Sequence, residues 1–81
     1  NTPSISIIPN PAADQCRVVW NSTMHVTTLE IVDLRGRVVL LHTVQSGETE
    51  ALVNMSPLPK GVYAVLLKGA STYTEIFTTR Y

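Results

Sequence analysis

The sequence predicts an all-β fold, a small seven-stranded antiparallel β-sandwich of the immunoglobulin-like kind, and three observations predict it. Apolar residues recur with a period of two, and the spacings of three and four that mark a helix hardly occur. Turn residues interrupt the chain roughly every ten positions, as in small sandwiches. Three phrases, Pro9-Asn10-Pro11-Ala12, Asp33-Leu34-Arg35-Gly36-Arg37 and Leu58-Pro59-Lys60-Gly61-Val62-Tyr63, couple a residue of fixed or permissive backbone angle to an apolar strand.

In chain order, Ile5 and Ile7 alternate with Ser4 and Ser6 in a first short strand, which Pro9 and Pro11 close. Cys16, Val18 and Trp20 alternate with Gln15, Arg17 and Val19 in a second, ended by Asn21-Ser22. Leu29 and Ile31 share a face of a third strand over residues 26–33, and Arg35-Gly36 turns the chain into a fourth over 37–44. After Ser46-Gly47, Glu50, Leu52 and Asn54 alternate with Ala51 and Val53 in a fifth. Pro57 and Pro59 have no amide hydrogen for a sheet ladder, so residues 54–60 read as a shaped loop. Gly61 releases the chain into residues 62–68, which are apolar on both faces and so fit a central or doubly covered strand. Gly69-Ala70-Ser71 turns, and residues 73–80 form the seventh strand. Gly36 is expected at positive φ, with Asp33 or Arg35 decorating the turn, while Gly61 and Tyr63 set the loop exit and anchor the core.

With 81 residues and 44% hydrophobic content, the chain supports one core, and residues 1–81 read as a single domain. Six basic and six acidic side chains cancel, which leaves no electrostatic footprint for nucleic acid. The longest apolar runs, residues 38–41 and 62–67, fall far short of the roughly 18 residues of a membrane-spanning helix. The start at Asn1-Thr2-Pro3, without an initiator methionine or a signal-like segment, reads as a piece of something longer. Cys16 is the only cysteine, so no internal disulfide can form and packing must hold the fold.

Reaction chemistry finds no motif. His25, His42, Asp14, Asp33, Cys16 and many hydroxyls supply atoms for a nucleophilic triad, but there is no G-x-S-x-G elbow and no cysteine-protease signature. Cys16 alternates with Val18 and Trp20, so it reads as a buried thiol. His25 and His42 fall on adjoining strands, and two ligands do not make a metal site. The chain is read as no enzyme, with no cofactor, metal site or phosphate cradle. Trp20 and Tyr63 fall on apolar faces, whereas Tyr73 and Tyr81 are expected to be exposed, which keeps a sugar-binding surface among the readings. Asn21-Ser22-Thr23 matches the N-glycosylation acceptor pattern.

Taken in order, the phrases resemble the C-terminal sorting domain of the type IX secretion system of Bacteroidetes, in its type A form. The opening run with Pro-Asn-Pro-Ala fits residues 5–12, the Asp and Gly-Arg hairpin fits 29–41, the Leu and Gly-x-Tyr phrase fits 58–67, and the last strand with its basic residue fits 73–81. Pro9, Asn10, Pro11, Asp33, Gly36, Gly61 and Tyr63 thereby become family positions of structural character. The resemblance implies a folded secretion signal. Its parent protein would be exported through the periplasm and delivered by the outer-membrane translocon to the cell surface or the medium. A sortase-like protease would process it, and anionic lipopolysaccharide is the implied surface partner. The terminal strand, with Thr78, Thr79, Arg80 and Tyr81, is the expected face for the translocon, since an edge strand is a template for another chain. An uncapped edge also invites self-association. The alternative reading is an adhesive, carbohydrate- or lipopolysaccharide-binding module of a surface protein.

Overall fold

A computed structural model describes residues 4–9 and 12–79. Seven strands form in the predicted order: β1 (Ile5–Ile8), β2 (Gln15–Trp20), β3 (Val26–Val32), β4 (Val38–Thr43), β5 (Glu50–Asn54), β6 (Val62–Gly69) and β7 (Thr72–Thr78). They make two antiparallel sheets, a three-stranded one in the order β1-β2-β5 and a four-stranded one in the order β4-β3-β6-β7. One core joins the two, as in an immunoglobulin-like sandwich.

The alternation read from the sequence sets which side chains enter that core. Cys16, Val18 and Trp20 of β2 point inward, with Val18 between Ile7 of β1 and Ala51 of β5. Across the sandwich, Leu29 and Ile31 of β3 pair with Leu67 and Val65 of β6, and all four are fully buried. Each such side chain contributes roughly 1.5–3 kcal/mol of transfer free energy, so these two rows dominate the fold's stability. β6 is central, between β3 and β7, which accounts for its two apolar faces. The outer face of the four-stranded sheet carries a row of Val38, Val32, Ala64 and Ile76 from one edge to the other.

Three details depart from the sequence reading. A short 3-10 turn, Ser22–Met24, buries Met24 and leaves His25 in a left-handed conformation at φ 52°. Gly69, read as a turn residue, is the last residue of β6 and lies opposite Val26. Tyr73 is half-buried against the core instead of exposed, because it shares the inward face of β7 with Phe77. Arg80, read as part of the last strand, lies outside the described residues.

Candidate functional site

Successive strands run in opposite directions, so the connections after β1, β3 and β5 and the exit from β7 all lie at one end of the sandwich. That end gathers the described residues of all three phrases singled out in the sequence. The other end holds the 3-10 turn, residues 44–49 and residues 70–71.

The 33–37 turn is organised by one carboxylate. Gly36 N–H donates to the Asp33 carbonyl at 2.9 Å, and Gly36 takes the positive φ, 81°, that a side chain would resist. Asp33 Oδ1 accepts from the backbone N–H groups of Arg35 at 2.9 Å and Arg37 at 3.0 Å, and Oδ2 accepts from Arg37 Nε at 2.9 Å. The Arg37 backbone N–H is the main cause that holds the Asp33 carboxyl below the usual aspartate range; desolvation opposes it, and the Arg37 guanidinium and the Arg35 N–H add to it.

The 55–61 loop is held from both ends. Asn54 Oδ1 accepts from Ser56 N–H and Oγ, at 3.1 and 2.8 Å, and Leu58 N–H donates to the Met55 carbonyl at 2.9 Å. At its exit the Tyr63 hydroxyl donates to the Pro59 carbonyl four residues back. This is the tyrosine corner of immunoglobulin-like sandwiches, on the strand where that motif occurs. The ring is buried and packs against Phe77 with centroids 6.1 Å apart.

The end of β7 is clamped on two sides. Thr79 N–H donates to the Gly61 carbonyl at 3.0 Å, and Gly61 N–H donates to Thr79 Oγ1 at 2.8 Å. On the opposite edge Ala12 N–H donates to the Thr78 carbonyl at 2.8 Å, in a parallel bridge between Ala12 and Thr79. Ala12 is fully buried there. Of the sequence-predicted recognition residues, Thr78 exposes its side chain and Thr79 spends its hydroxyl on Gly61. Arg80, Tyr81, Asn10 and Pro11 lie outside the described residues. Pro9, whose peptide bond to Ile8 is cis, Asp33, Gly36, Gly61 and Tyr63 all take part in this end of the molecule. The packing of Ala12 onto β7 was missed, since the sequence carries no signal for a bridge between residues so far apart.

An open groove of about 530 Å³ lies between the two loops, lined by Asp33, Leu34, Arg35, Arg37, Lys60 and Tyr63 among others. At the far end a second groove of about 470 Å³ includes Trp20, His25 and Glu48. Trp20 is only 4% exposed, so it offers no ring face for a sugar. The Asn21 side-chain oxygen is buried, while Ser22 and Thr23 of the same tripeptide are exposed. His42 lies opposite Leu29 in β4, whereas His25 precedes β3, so the register does not bring the two histidines together. Cys16 is buried, and that burial pushes its thiol pKa up, away from nucleophilic thiolate. Among the described residues, no group of three or more His, Cys, Asp or Glu side chains could hold a metal ion.

The profile of the secretion-system C-terminal sorting domain family matches residues 6–77, nearly the whole chain. The chain belongs to that family, the sorting domains of type IX secretion. Membership carries with it interaction with the type IX machinery and export to the cell surface or extracellular space, and the family is one of sorting signals rather than enzymes. Comparison with the curated proteins and with the solved structures gave no significant match. The family match covers the phrases at Asp33, Gly61 and Tyr63 and ends one residue before Thr78.

Proposed function

We propose that this sorting domain carries its parent protein across the outer membrane by presenting one end of the sandwich to the translocon, with Thr78, Thr79, Arg80 and Tyr81 as the residues read. The carrying observation is that the family's phrases meet at that end, where the exit of β7 is clamped between Gly61 and Ala12. The clamp fixes where β7 ends at Thr79, and a signal read by shape requires a fixed starting point. The domain is substrate rather than catalyst: a sortase-like protease of the machinery removes or joins it, and anionic lipopolysaccharide receives the cargo at the surface. Residues 1–81 act as one unit in this role.

Strand addition along β7 has room only at part of its edge, since Ala12 already occupies the ladder at Thr78 and Thr79. Recognition by the last residues therefore proceeds from the clamped end outward. The test fuses residues 1–81 behind a periplasmic reporter in a type IX-competent bacterium, beside a translocon-deficient strain. Translocon-dependent delivery to the surface or medium is the expected result, with loss on deleting Arg80-Tyr81. A reporter that stays in the periplasm with a folded domain sinks the sorting role; full secretion of the truncated form sinks the assignment of the terminal residues.

A further inference from the structure

We propose that the groove between the 33–37 turn and the 59–63 loop docks an acidic peptide segment of a partner protein. The inference rests on the reading above that this end of the sandwich meets the secretion machinery, and it names the chemistry that the machinery would bring. Three cations, Arg35, Arg37 and Lys60, and one carboxylate, Asp33, line the groove. It therefore carries two positive charges in excess, and because the whole chain is neutral the rest of it carries two negative charges in excess. The second groove, at the far end, is lined by no lysine or arginine and by the carboxylate of Glu48, so the positive field belongs to one end of the molecule.

The carboxylate already present is fully engaged within its own turn, by the Arg35 and Arg37 backbone N–H groups and the Arg37 guanidinium. Ion pairs among the described residues are confined to Arg37 with Asp33 and Lys68 with Glu30, which leaves Arg35 and Lys60 on facing loops with no carboxylate among those residues. Carboxylates arriving from outside complete both.

The apolar part of the groove selects the peptide over a phosphate-rich glycolipid. Leu34, at the tip of the turn, is 80% exposed, the most exposed large hydrophobic side chain among the described residues, although the turn geometry makes no demand for an apolar residue there. Pro59, Val62 and Tyr63 add an apolar wall beside it. Cations alternating with apolar surface match a segment in which acidic and apolar side chains alternate. A lipid phosphate would engage the cations and leave Leu34 in water.

The experiment titrates the isotopically labelled 81-residue chain with a blocked peptide of alternating Glu and Leu, and with the same peptide carrying Gln for Glu. Amide shifts confined to residues 33–37 and 60–63 are expected with the Glu peptide alone. They should weaken several-fold between about 10 mM and about 150 mM salt, where the Debye length falls from about 30 to about 8 Å. Arg35→Glu with Lys60→Glu should abolish them in a spectrum that stays dispersed, Lys60→Gln serves if the double variant unfolds, and Leu34→Ser should weaken them. Equal shifts with the Gln peptide, or shifts elsewhere, overturn the proposal. Shifts with inorganic phosphate or lipopolysaccharide vesicles that Leu34→Ser leaves intact overturn it in favour of a phosphate ligand. If the Glu peptide fails to bind while the reporter fusion is still exported, the groove assignment falls and sorting stands. If it binds while the reporter stays in the periplasm, sorting falls and the groove stands.

Discussion

Gly69→Ala tests the packing at the far end of β6, and its size can be worked from distances. A Cβ on Gly69 would lie 2.2 Å from the His25 carbonyl oxygen and 3.2 Å from its carbon. Carbon and oxygen in ordinary contact sit about 3.3 Å apart, so about 1 Å must be found. β3 cannot slide to provide it, because Leu29 with Leu67 and Ile31 with Val65 are fully buried pairs whose register would be lost. The strain goes instead into the backbone around His25, already left-handed at φ 52°. Overpacking of this kind costs roughly 1–3 kcal/mol. At about 4–8 °C of melting temperature per kcal/mol for a domain of this size, the drop is roughly 4–24 °C. Gly36 separates space from dihedral strain, since its φ is 81° and nothing lies within 4 Å of where a Cβ would be. There Val should be worst, Ala intermediate and Asn best, because Asn tolerates the left-handed region. At Gly69, Asn should be no better than Ala. Thermal melts by circular dichroism of the five variants read this directly. A Gly69→Asn domain more stable than Gly69→Ala, or a Gly69→Ala melt indistinguishable from wild type, refutes the steric argument.

Tyr63→Phe removes the hydroxyl bond to Pro59 while keeping the ring on Phe77, and should cost about 1 kcal/mol with faster amide exchange at Lys60 and Gly61. An unchanged exchange pattern there would show that the corner does not hold the loop. Thr79→Val takes the acceptor from Gly61 N–H, so Gly61 should lose protection while Ala12 keeps its own; equal loss at both would mean that the β7 exit frays as a unit. Asp33 supplies a pH signature. Its folded pKa lies below the unperturbed value of about 3.9, so its contribution is present above that value and lost as pH falls through the folded pKa. Melts of wild type and Asp33→Asn should therefore differ at pH 7 and converge in acid below the folded pKa; a difference that persists there would assign the effect to the turn's shape rather than its charge.

The strands were legible because burial imposes period two on β2, β3, β5 and β6, and Cys16, Val18, Trp20, Leu29, Ile31, Tyr63, Val65 and Leu67 face the core as the alternation requires. The turns were legible where one residue type meets a backbone demand, as Gly36 does at φ 81°. What stayed hidden depends on contacts between distant residues. Gly69 resembles any turn glycine until the His25 backbone is set against it. Tyr73 resembles an exposed aromatic until β7 is paired with β6. The Ala12 bridge to Thr79 leaves no local mark, since Ala12 needs only to be small enough to be buried.

The convergence of the family's phrases follows from parity. Each falls after an odd-numbered strand, and in a sandwich whose strands alternate in direction all odd-numbered strands finish at the same end. The entry to β1 lies at the opposite end from Thr79, so a protein fused before Asn1 approaches the sandwich far from the clamped exit of β7. A folded tag placed after Tyr81 is instead joined two residues beyond Thr79, whose backbone is bonded to Gly61 at the end that holds the basic groove. The two fusions bury nothing different in the core and should melt alike, yet the tag after Tyr81 should abolish reporter export while the fusion before Asn1 permits it. Equal export of both would show that the machinery reads a sheet face or the far end. The clamp at Thr78 and Thr79 would then complete the sandwich without presenting a signal.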